Sequence, residues 1–263
     1  MTRELEGQVA IITGGASGIG RASCILFAQA GAKVVVADVD EKGGPETVRR
    51  IGSDAIFVKT DVSSAADAER LANEAVKRFG RIDILYNNAA STRLCIEKDR
   101  PVHLLEEWVW DKMIAICLKG VFLCSKYAIP SMIEQRKGCI INTSSTVAVL
   151  TQTGSDSYTA AKGGVIALSR IMAADYARYG IRVNVITPGY IITECQQWYH
   201  DDPKARAATD AMHLTRVGEA NDIAQMALYL ASDKATFITG SNMIVDGGFT
   251  AFKAAAQFER EGN

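Results

Sequence analysis

The chain is poor in the side chains that most often bind metal ions. Its 263 residues include only three histidines, and its six cysteines are scattered without a Cys-x-x-Cys pair. Structural zinc sites need cysteine and histidine ligands at close, regular spacings. We therefore expect no metal site, reduced cysteines that lie mostly in the core, and positions in solvent for His200 and His213.

The chain also lacks a strong net charge and long apolar runs. Its formal net charge of -1 and its sequence pI of about 6.3 give no field that would attract nucleic acid or an anionic membrane. Residues 1–8 carry charges and no apolar run, which argues against a secretory signal, and no later segment offers about 18 uninterrupted apolar residues. We expect a cytoplasmic protein with no nucleic-acid or membrane partner.

Short apolar, β-branched runs alternate with amphipathic segments in this chain, which is 48% hydrophobic. The runs predict buried strands at 8–13, 33–38, 55–59, 82–86, 138–143 and 181–187. Segments such as 46–51 and 65–79, the latter closed by Gly80, predict helices. Repeated βα units predict an α/β fold, with a parallel sheet between helices, and we expect a single domain over residues 1–263.

Glycines follow the first predicted strand and precede a helix. In this context Gly14, Gly18 and Gly20 match a dinucleotide fingerprint, although glycines also form ordinary tight turns. The second strand ends at Asp38, about 20 residues beyond the glycines, where a carboxylate can bind the adenosine ribose hydroxyls. Since no arginine follows Asp38, nothing nearby is expected to neutralise a 2′-phosphate. Asp38 therefore favours NAD over NADP.

Small polar residues follow the ends of later strands. They are Asp61, Asn87, Asn88, Ser144 and Ser145. The carboxyl ends of parallel strands form the ligand-binding edge of such a sheet. These residue types are also common turn formers, and the pattern alone does not choose between the two roles.

Tyr158 and Lys162 lie four residues apart in a segment that predicts a long helix. Side chains one helical turn apart leave the same face, so their polar ends can converge. A nearby ammonium favours the phenolate and lowers the pKa of a tyrosine, which makes the pair a candidate acid/base device. The same spacing also occurs by chance on solvated helix faces.

Six motifs, in this order and spacing, resemble those of the short-chain dehydrogenase/reductase family. They are Thr13-Gly-Gly-Ala-Ser-Gly-Ile-Gly20, Asn87-Asn-Ala89, Ser145, Tyr158-x-x-x-Lys162, Pro188-Gly189 and Asp246-Gly-Gly248. The resemblance extends from about residue 5 to about residue 252. It implies a doubly wound, three-layer Rossmann fold with seven parallel strands in the order 3-2-1-4-5-6-7, the last at 242–245. It also implies a substrate lid at about 190–216.

The resemblance assigns catalysis to three residues. Tyr158 would be the acid/base, Lys162 would lower the tyrosine pKa and bind the nicotinamide ribose, and Ser145 would hold the substrate oxygen. If the register differs by one residue, Ser144 takes that last role. The implied NAD-binding residues are Gly14, Ser17, Gly18, Ile19, Gly20, Asp38, Asp61, Val62, Asn88, Tyr158, Lys162, Pro188, Ile191 and Thr193.

Two positions depart from the family pattern. Cys117 stands where the family usually carries an asparagine that holds a water of the proton relay, and a thiol cannot reproduce the hydrogen bonds of an amide. Ala90 replaces the glycine that usually follows Asn-Asn-Ala, which matters only if the backbone needs a positive φ there.

The substrate pocket is expected to involve residues 91–94, Thr146, Val147, Gln152 and the lid. Within the lid, Tyr190, Trp198 and Tyr199 either wall the substrate or anchor the lid to the core. The lid contains Lys204, Arg206 and Arg216 but no cluster of arginines that would bind a phosphate. These features favour a small neutral secondary alcohol or ketone, with cyclic ones among the candidates, and they leave its identity and the physiological direction open.

The resemblance implies an NAD-dependent oxidoreductase that interconverts a secondary alcohol and a ketone by hydride transfer. The alternative is a nucleotide-binding protein of the same fold whose chemistry has decayed. Ser145, Tyr158 and Lys162 favour the enzyme, and Cys117 alone favours the alternative. The resemblance also implies a homotetramer, built from helices beginning near Leu104 and Ser157 and from the last strand. The tail at 253–263 is either disordered or laid across a neighbouring subunit.

Overall fold

Seven parallel strands form the centre of the computed structural model, which describes residues 3–150, 152–194 and 201–251. The described residues form nine strands, seven of them in this sheet; in chain order they are β1 (Val9–Thr13), β2 (Lys33–Asp38), β3 (Ala55–Lys59), β4 (Ile84–Asn87), β5 (Gly138–Thr143), β6 (Ile181–Pro188), β7 (Ile191–Ile192), β8 (Gly218–Glu219) and β9 (Asn242–Val245). The main sheet has the order β3-β2-β1-β4-β5-β6-β9, which confirms the predicted order and the predicted last strand. The short β7 and β8 pair with each other and were not predicted.

Helices connect the strands and cover both faces of the sheet. They are α1 (Gly18–Gln29), α2 (Gly43–Ile51), α3 (Ala65–Phe79), α4 (Thr92–Lys98), α5 (Glu107–Ile114), α6 (Gly120–Gln135), α7 (Asp156–Tyr176), α8 (Pro203–Asp210) and α9 (Ala220–Ala231). A π-helical segment, Ala115–Lys119, joins α5 to α6. Single 3₁₀ turns occur at Val102–Leu104, Thr146–Ala148, Ala177–Tyr179 and Asp233–Ala235.

Alternating side chains of the strands enter two separate core layers. From β1, Ile12 joins a cluster with Phe27 of α1 and Leu230 of α9. Its neighbour Ile11 joins the opposite cluster with Leu71 of α3 and Met132 of α6. Because successive strand residues face opposite sides, a continuous apolar run is what a sheet buried on both faces requires. This packing confirms the predicted three-layer arrangement.

The helical stretch Glu107–Gln135 is apolar enough, by length and composition alone, to cross a membrane, with a mean hydropathy of 1.5 over a window of 18 residues. Half of that window is buried within the protein. Leu123, Ala128 and Met132 of this stretch pack in the core layer that contains α3. The packing of α6 against the sheet therefore accounts for much of its apolar character.

The cysteines of the described part of the chain are free thiols, as predicted. Cys24, Cys117, Cys124 and Cys139 are buried, and Cys95 is partly buried. Burial disfavours the thiolate and raises the pKa of Cys124 to about 12, which makes this thiol a poor nucleophile. The prediction for Cys195 lies outside the described residues.

Candidate active site

A cavity of about 770 Å³ lies at the carboxyl ends of the central strands. The cavity is lined by residues that are far apart in the sequence, because the strand of every βα unit ends at this edge of the sheet. All the residues assigned from the sequence line it except Gly20: they are Gly14, Ser17, Gly18, Ile19, Asp38, Asp61, Val62, Asn88, Ser145, Tyr158, Lys162, Pro188, Ile191 and Thr193.

The glycine-rich turn has the close backbone approach that a dinucleotide requires. A Cβ on Gly20 would lie 1.9 Å from the carbonyl oxygen of Gly14, so Gly20 packs the helix onto the turn and does not face the cavity. Gly14 has a φ of +69°, and a Cβ there would lie 2.9 Å from Cα of Ala89. Gly18, with a φ of +50°, lines the cavity and begins α1, whose first N–H groups have no acceptor within the helix. The turn therefore fits a pyrophosphate group.

Side-chain hydrogen bonds fasten this turn to the end of β4. The Thr13 hydroxyl accepts hydrogen bonds from the N–H groups of Asn88 and Ala89, both at 3.0 Å. The Asn88 amide donates to the Thr13 carbonyl at 3.1 Å. Since both elements also line the cavity, these bonds fix one wall of the dinucleotide site.

Asp38 presents its carboxylate at the end of β2. Oδ2 accepts a hydrogen bond from the Ala16 N–H and Oδ1 accepts one from the Asp40 N–H, each at 3.0 Å. Both oxygens keep lone pairs for ribose hydroxyls. The fold also brings Arg21 to this corner, where it donates to the Ala16 carbonyl. Arg21 is thus an arginine near this corner that does not follow Asp38 along the chain, and it does not line the cavity.

Glu194 occupies the start of α1, a placement that sequence reasoning missed. Its carboxylate accepts a hydrogen bond from the Gly18 N–H at 3.0 Å and forms an ion pair with Arg21 at 3.3 Å. A helix N-terminus favours a negative charge, whether from a side chain or from a phosphate. No local motif indicates these contacts, because Glu194 lies 173 positions from Arg21 and 176 positions from Gly18 in the sequence.

The catalytic candidates converge where α7 crosses the end of β5. Lys162 is fully buried, donates a 2.7 Å hydrogen bond to the Thr143 carbonyl, and holds Nζ 5.5 Å from the ring centroid of Tyr158. Ser144 donates its hydroxyl proton to the Lys162 carbonyl at 2.9 Å. The hydroxyl of Ser145 contacts Tyr158 instead, so the geometry favours Ser145 over Ser144 as the residue beside the reacting oxygen.

Burial controls the pKa values of this pair. It raises the pKa of Tyr158 well above its usual value, the nearby thiols of Cys117 and Cys95 raise it further, and the hydrogen bond with Ser145 opposes them. Burial also lowers the pKa of Lys162. The expected lowering of the tyrosine pKa is therefore reversed in this structure, because desolvation outweighs the hydrogen bond with Ser145.

Cys117 lies beside the catalytic pair, at the position expected from the motif. It belongs to the π-helical segment, a type of local structure that is frequent at functional sites. The thiol is fully buried, packs with Met113, Ala161 and Tyr158, and contacts the Met113 sulfur at 3.6 Å. Its surroundings are those of a small apolar side chain, which fits the prediction that it does not replace an amide.

The other departure from the pattern is easily accommodated. Ala90 lines the cavity, and Arg136 is the one non-glycine residue with a positive φ in the described part of the chain. Ala90 therefore has a backbone that any L-residue adopts.

The substrate side of the cavity was only partly predicted. Ser91, Thr92, Thr146, Val147 and Gln152 line it, whereas Arg93 and Leu94 do not. Cys95, Ile96, Asp99 and Arg100 also line it and were missed. No local pattern indicates Asp99, because its carboxylate accepts hydrogen bonds from the N–H groups of Ser157 and Tyr158, nearly 60 positions away.

His213 is buried, with 8% of its surface exposed, so its predicted position in solvent is wrong. Its Nδ1 lies 2.8 Å from the Thr209 carbonyl, and its ring packs against Phe249 and Tyr190. These contacts anchor the lid to the turn after β9. The predictions for Trp198, Tyr199, His200 and the tail lie outside the described residues.

Comparisons with known proteins agree with this site. The model of a family described as enoyl-(acyl carrier protein) reductase matches residues 14–250. An uncharacterized oxidoreductase of Thermotoga maritima is 42% identical over 94% of this chain and 97% of its own length. Cis-4-hydroxycyclohexanecarboxylate dehydrogenase of Sinomonas cyclohexanicum is 39% identical over 93% of this chain and 97% of its own length.

A solved structure, that of gox2181, superposes with a TM-score of 0.89 and 32% identity and covers 95% of this chain and 98% of that chain. The family match, the identities and the shared fold point the same way as the convergence of Tyr158 and Lys162. The chain belongs to the short-chain dehydrogenase/reductase family of oxidoreductases.

Proposed function

We propose that the protein is an NAD-dependent oxidoreductase that interconverts a secondary alcohol and a ketone. The observation that carries the proposal is the convergence of Ser145, Tyr158 and Lys162 at one end of a cavity whose other walls fit a dinucleotide. A nicotinamide dinucleotide supplies the carbon that exchanges a hydride with the substrate carbon.

The chain's own residues move the proton. In reduction, the protonated phenol of Tyr158 gives its proton to the carbonyl oxygen, and in oxidation the phenolate accepts the alcohol proton. Ser145 donates a hydrogen bond to the same oxygen and stabilises the charge that develops there. The Thr143 carbonyl positions the Lys162 ammonium beside the tyrosine, where it stabilises the phenolate.

Asp38 supports the choice of NAD over NADP, since its carboxylate can accept hydrogen bonds from both ribose hydroxyls and would repel a 2′-phosphate. Arg21, the cation at this corner, already donates to Thr47, Ala16 and Glu194. We expect the unmodified protein to have a higher kcat/KM with NAD, and Asp38→Ala to narrow that preference. Equal kcat/KM values with NAD and NADP in the unmodified protein would contradict the assignment.

A cyclic secondary alcohol is the substrate class that we favour. The substrate side of the cavity has apolar walls at Ile96 and Val147 and an aromatic one at Tyr190, which suit a ring. The name of the Sinomonas relative describes a cyclic secondary alcohol as its substrate. A panel of cyclic and acyclic secondary alcohols with NAD, followed by the absorbance of NADH, tests the activity.

The second candidate function is a nucleotide-binding protein without turnover, and Cys117 is the observation that favours it. Tight NADH binding with no turnover across the panel would support this candidate and overturn the enzyme. Turnover of any member that is lost in Tyr158→Phe would support the enzyme.

We also propose a cytoplasmic protein that acts on a small molecule, without a resident metal and without a nucleic-acid or membrane partner. The five free cysteines of the described residues fit a reducing compartment. The small net charge gives no basis for binding polyanions.

A further inference from the structure

Two cationic side chains line the cavity in the described part of the chain, Lys162 and Arg100. Lys162 donates a hydrogen bond to the Thr143 carbonyl and holds its ammonium beside the ring of Tyr158. Arg100 lies between α4, which carries the cavity residues Cys95 and Ile96, and the 3₁₀ turn at Val102–Leu104. The chemistry described above gives Arg100 no task.

The backbone on both sides of Arg100 is fastened to the helix that carries Tyr158. On one side, the buried Asp99 carboxylate accepts hydrogen bonds from the N–H groups of Ser157 and Tyr158, at 3.2 and 3.0 Å. On the other, the Val102 N–H donates to the Asp156 carboxylate at 2.8 Å. Arg100 therefore has a fixed backbone position relative to the catalytic tyrosine.

The guanidinium is oriented by backbone carbonyls and has no carboxylate partner. Its Nη1 donates to the Asp99 carbonyl at 2.6 Å, and its Nη2 donates to the Glu97 carbonyl at 3.0 Å. Among the described residues no acidic side chain lies within ion-pair distance of Arg100, although most arginines of this chain have one. Within the part of the chain that the structure describes, two of its five N–H donors are used, and the other three are left for a ligand.

We propose that Arg100 binds an anionic group of the substrate, a carboxylate, while Tyr158 acts on the alcohol or ketone at the other end of the same molecule. The planar fork of a guanidinium matches a carboxylate through two parallel hydrogen bonds. The carboxylate of the adjacent Asp99 accepts hydrogen bonds from the backbone N–H groups of Ser157, Tyr158 and Arg100, the last at 3.0 Å. The proposal rests on the proposed function and replaces the neutral substrate favoured from the sequence with a small hydroxy acid or keto acid.

The test compares a cyclic hydroxy acid, 4-hydroxycyclohexanecarboxylate, with its methyl ester. We expect the unmodified protein to prefer the acid, and Arg100→Gln to lower kcat/KM for the acid by about 10- to 100-fold, the range for a lost hydrogen bond to a charged group. The loss appears mainly in KM, because the carboxylate is bound equally in the ground and transition states. The ester changes by about two-fold or less, and Arg100→Lys, which keeps the charge but not the fork, is intermediate.

Arg93→Gln is the matched control, since Arg93 lies on the adjacent helix but does not line the cavity. An equal loss for acid and ester in Arg100→Gln, or no preference for the acid in the unmodified protein, overturns the proposal and leaves the oxidoreductase function standing. A preference for acetoacetyl-CoA over acetoacetate that depends on Arg100 also overturns it, because the anion recognised is then a phosphate of the carrier.

A failure of the proposed oxidoreductase function can be distinguished from a failure of the proposed role of Arg100. If no alcohol reduces NAD, calorimetric titration of the acid into the full-length protein with NADH still decides the role of Arg100. Binding that is lost in Arg100→Gln and kept in Arg93→Gln supports the anion site, and absence of binding to the unmodified protein overturns it.

Discussion

Tyr158 shows at the residue scale how burial and charge compete. The four-residue spacing to Lys162 predicts the pair and its shared face, and the structure brings the two together. The spacing cannot predict how much water the fold removes, and here burial raises the pKa of the phenol and lowers that of the ammonium. Both shifts disfavour the charged form of the group relative to its form in water.

A pH profile follows from the raised pKa of Tyr158. Ketone reduction needs the protonated phenol, so its kcat/KM is expected to be flat near neutral pH and to fall only at strongly alkaline pH. Alcohol oxidation needs the phenolate, so its kcat/KM is expected to rise as the pH increases from neutral to alkaline. Tyr158→Phe should lower kcat by about 10² to 10⁴ and remove both trends.

Tyr179→Phe is the control for this experiment, because Tyr179 does not line the cavity. Steady-state rates in both directions between neutral and alkaline pH provide the measurement. An unchanged profile in Tyr158→Phe would show that another group exchanges the proton.

Glu194 illustrates a residue-scale contact that no motif announces. Its carboxylate bonds to the Gly18 N–H, at the helix terminus that fits a pyrophosphate. A negative side chain and a phosphate at one helix terminus compete. We expect Glu194→Gln to tighten NADH binding by about two- to five-fold, as helix-terminal charge effects of about 0.3 to 1 kcal/mol imply.

Fluorescence titration of NADH into the unmodified protein and into Glu194→Gln measures the Kd of each for NADH. Glu74→Gln, on the exposed face of α3, removes the same charge away from the cavity and should leave the Kd unchanged. Weaker binding in Glu194→Gln would mean that the carboxylate supports the dinucleotide site instead of competing for it.

At the scale of elements, the strands of the main sheet were predicted more accurately than the short elements that surround the site. Three strands of the main sheet, β2, β3 and β5, have the bounds predicted from their apolar runs, and β9 has the bounds that the family resemblance implied. The predicted strand at 82–86 instead spans Ile84–Asn87. The helix α4, the π-helical segment and the β7–β8 pair are short and depend on tertiary contacts that local patterns do not encode.

A network of hydrogen bonds between buried polar side chains also could not be predicted from local sequence patterns. The Asn87 amide donates to Asn142 at 2.8 Å, and the Asn142 amide donates to Ser169 at 2.8 Å. These bonds join β4, β5 and α7 below the catalytic residues. The sequence places Asn87 and Asn142 near strand ends, but a pattern cannot say which residues will satisfy them, and a buried amide must be satisfied.

The start of α7 gives a prediction at this scale. Asp99→Ala removes the acceptor for two N–H groups in the first turn of the helix that carries Tyr158. We expect the free energy of unfolding to fall by about 0.5 to 2 kcal/mol, as for loss of a helix cap, and kcat to fall because Tyr158 is less well positioned. Urea unfolding and steady-state kinetics measure the two effects.

Asp111→Ala is the control, since Asp111 lies exposed on α5 and does not line the cavity. Rescue of kcat in Asp99→Asn, whose side-chain oxygen still accepts a hydrogen bond, would support positioning. A fall in stability with kcat unchanged would confine Asp99 to a structural role.

For the whole molecule, the distribution of apolar side chains is the feature that remains to be explained. Trp108, Trp110 and Phe122, on α5 and α6, are exposed, as are Ile171 on α7 and Ile244 on the edge strand β9. Contiguous apolar surface on a soluble protein commonly marks an interface. These elements are the ones that the family resemblance assigns to assembly, which supports the proposal of a homotetramer.

The mass in solution tests this proposal. Light scattering on a size-exclusion column is expected to give about four times the chain mass of 28.3 kDa, since closed assemblies bury the same patch on every copy. Phe122→Glu places a charge on a side chain that is 48% exposed and should shift the protein to smaller species. Val76→Glu, at a similarly exposed position on α3, should leave the mass unchanged. A monomer at micromolar concentration would contradict the proposal, because the exposed tryptophans would then face solvent in the active protein.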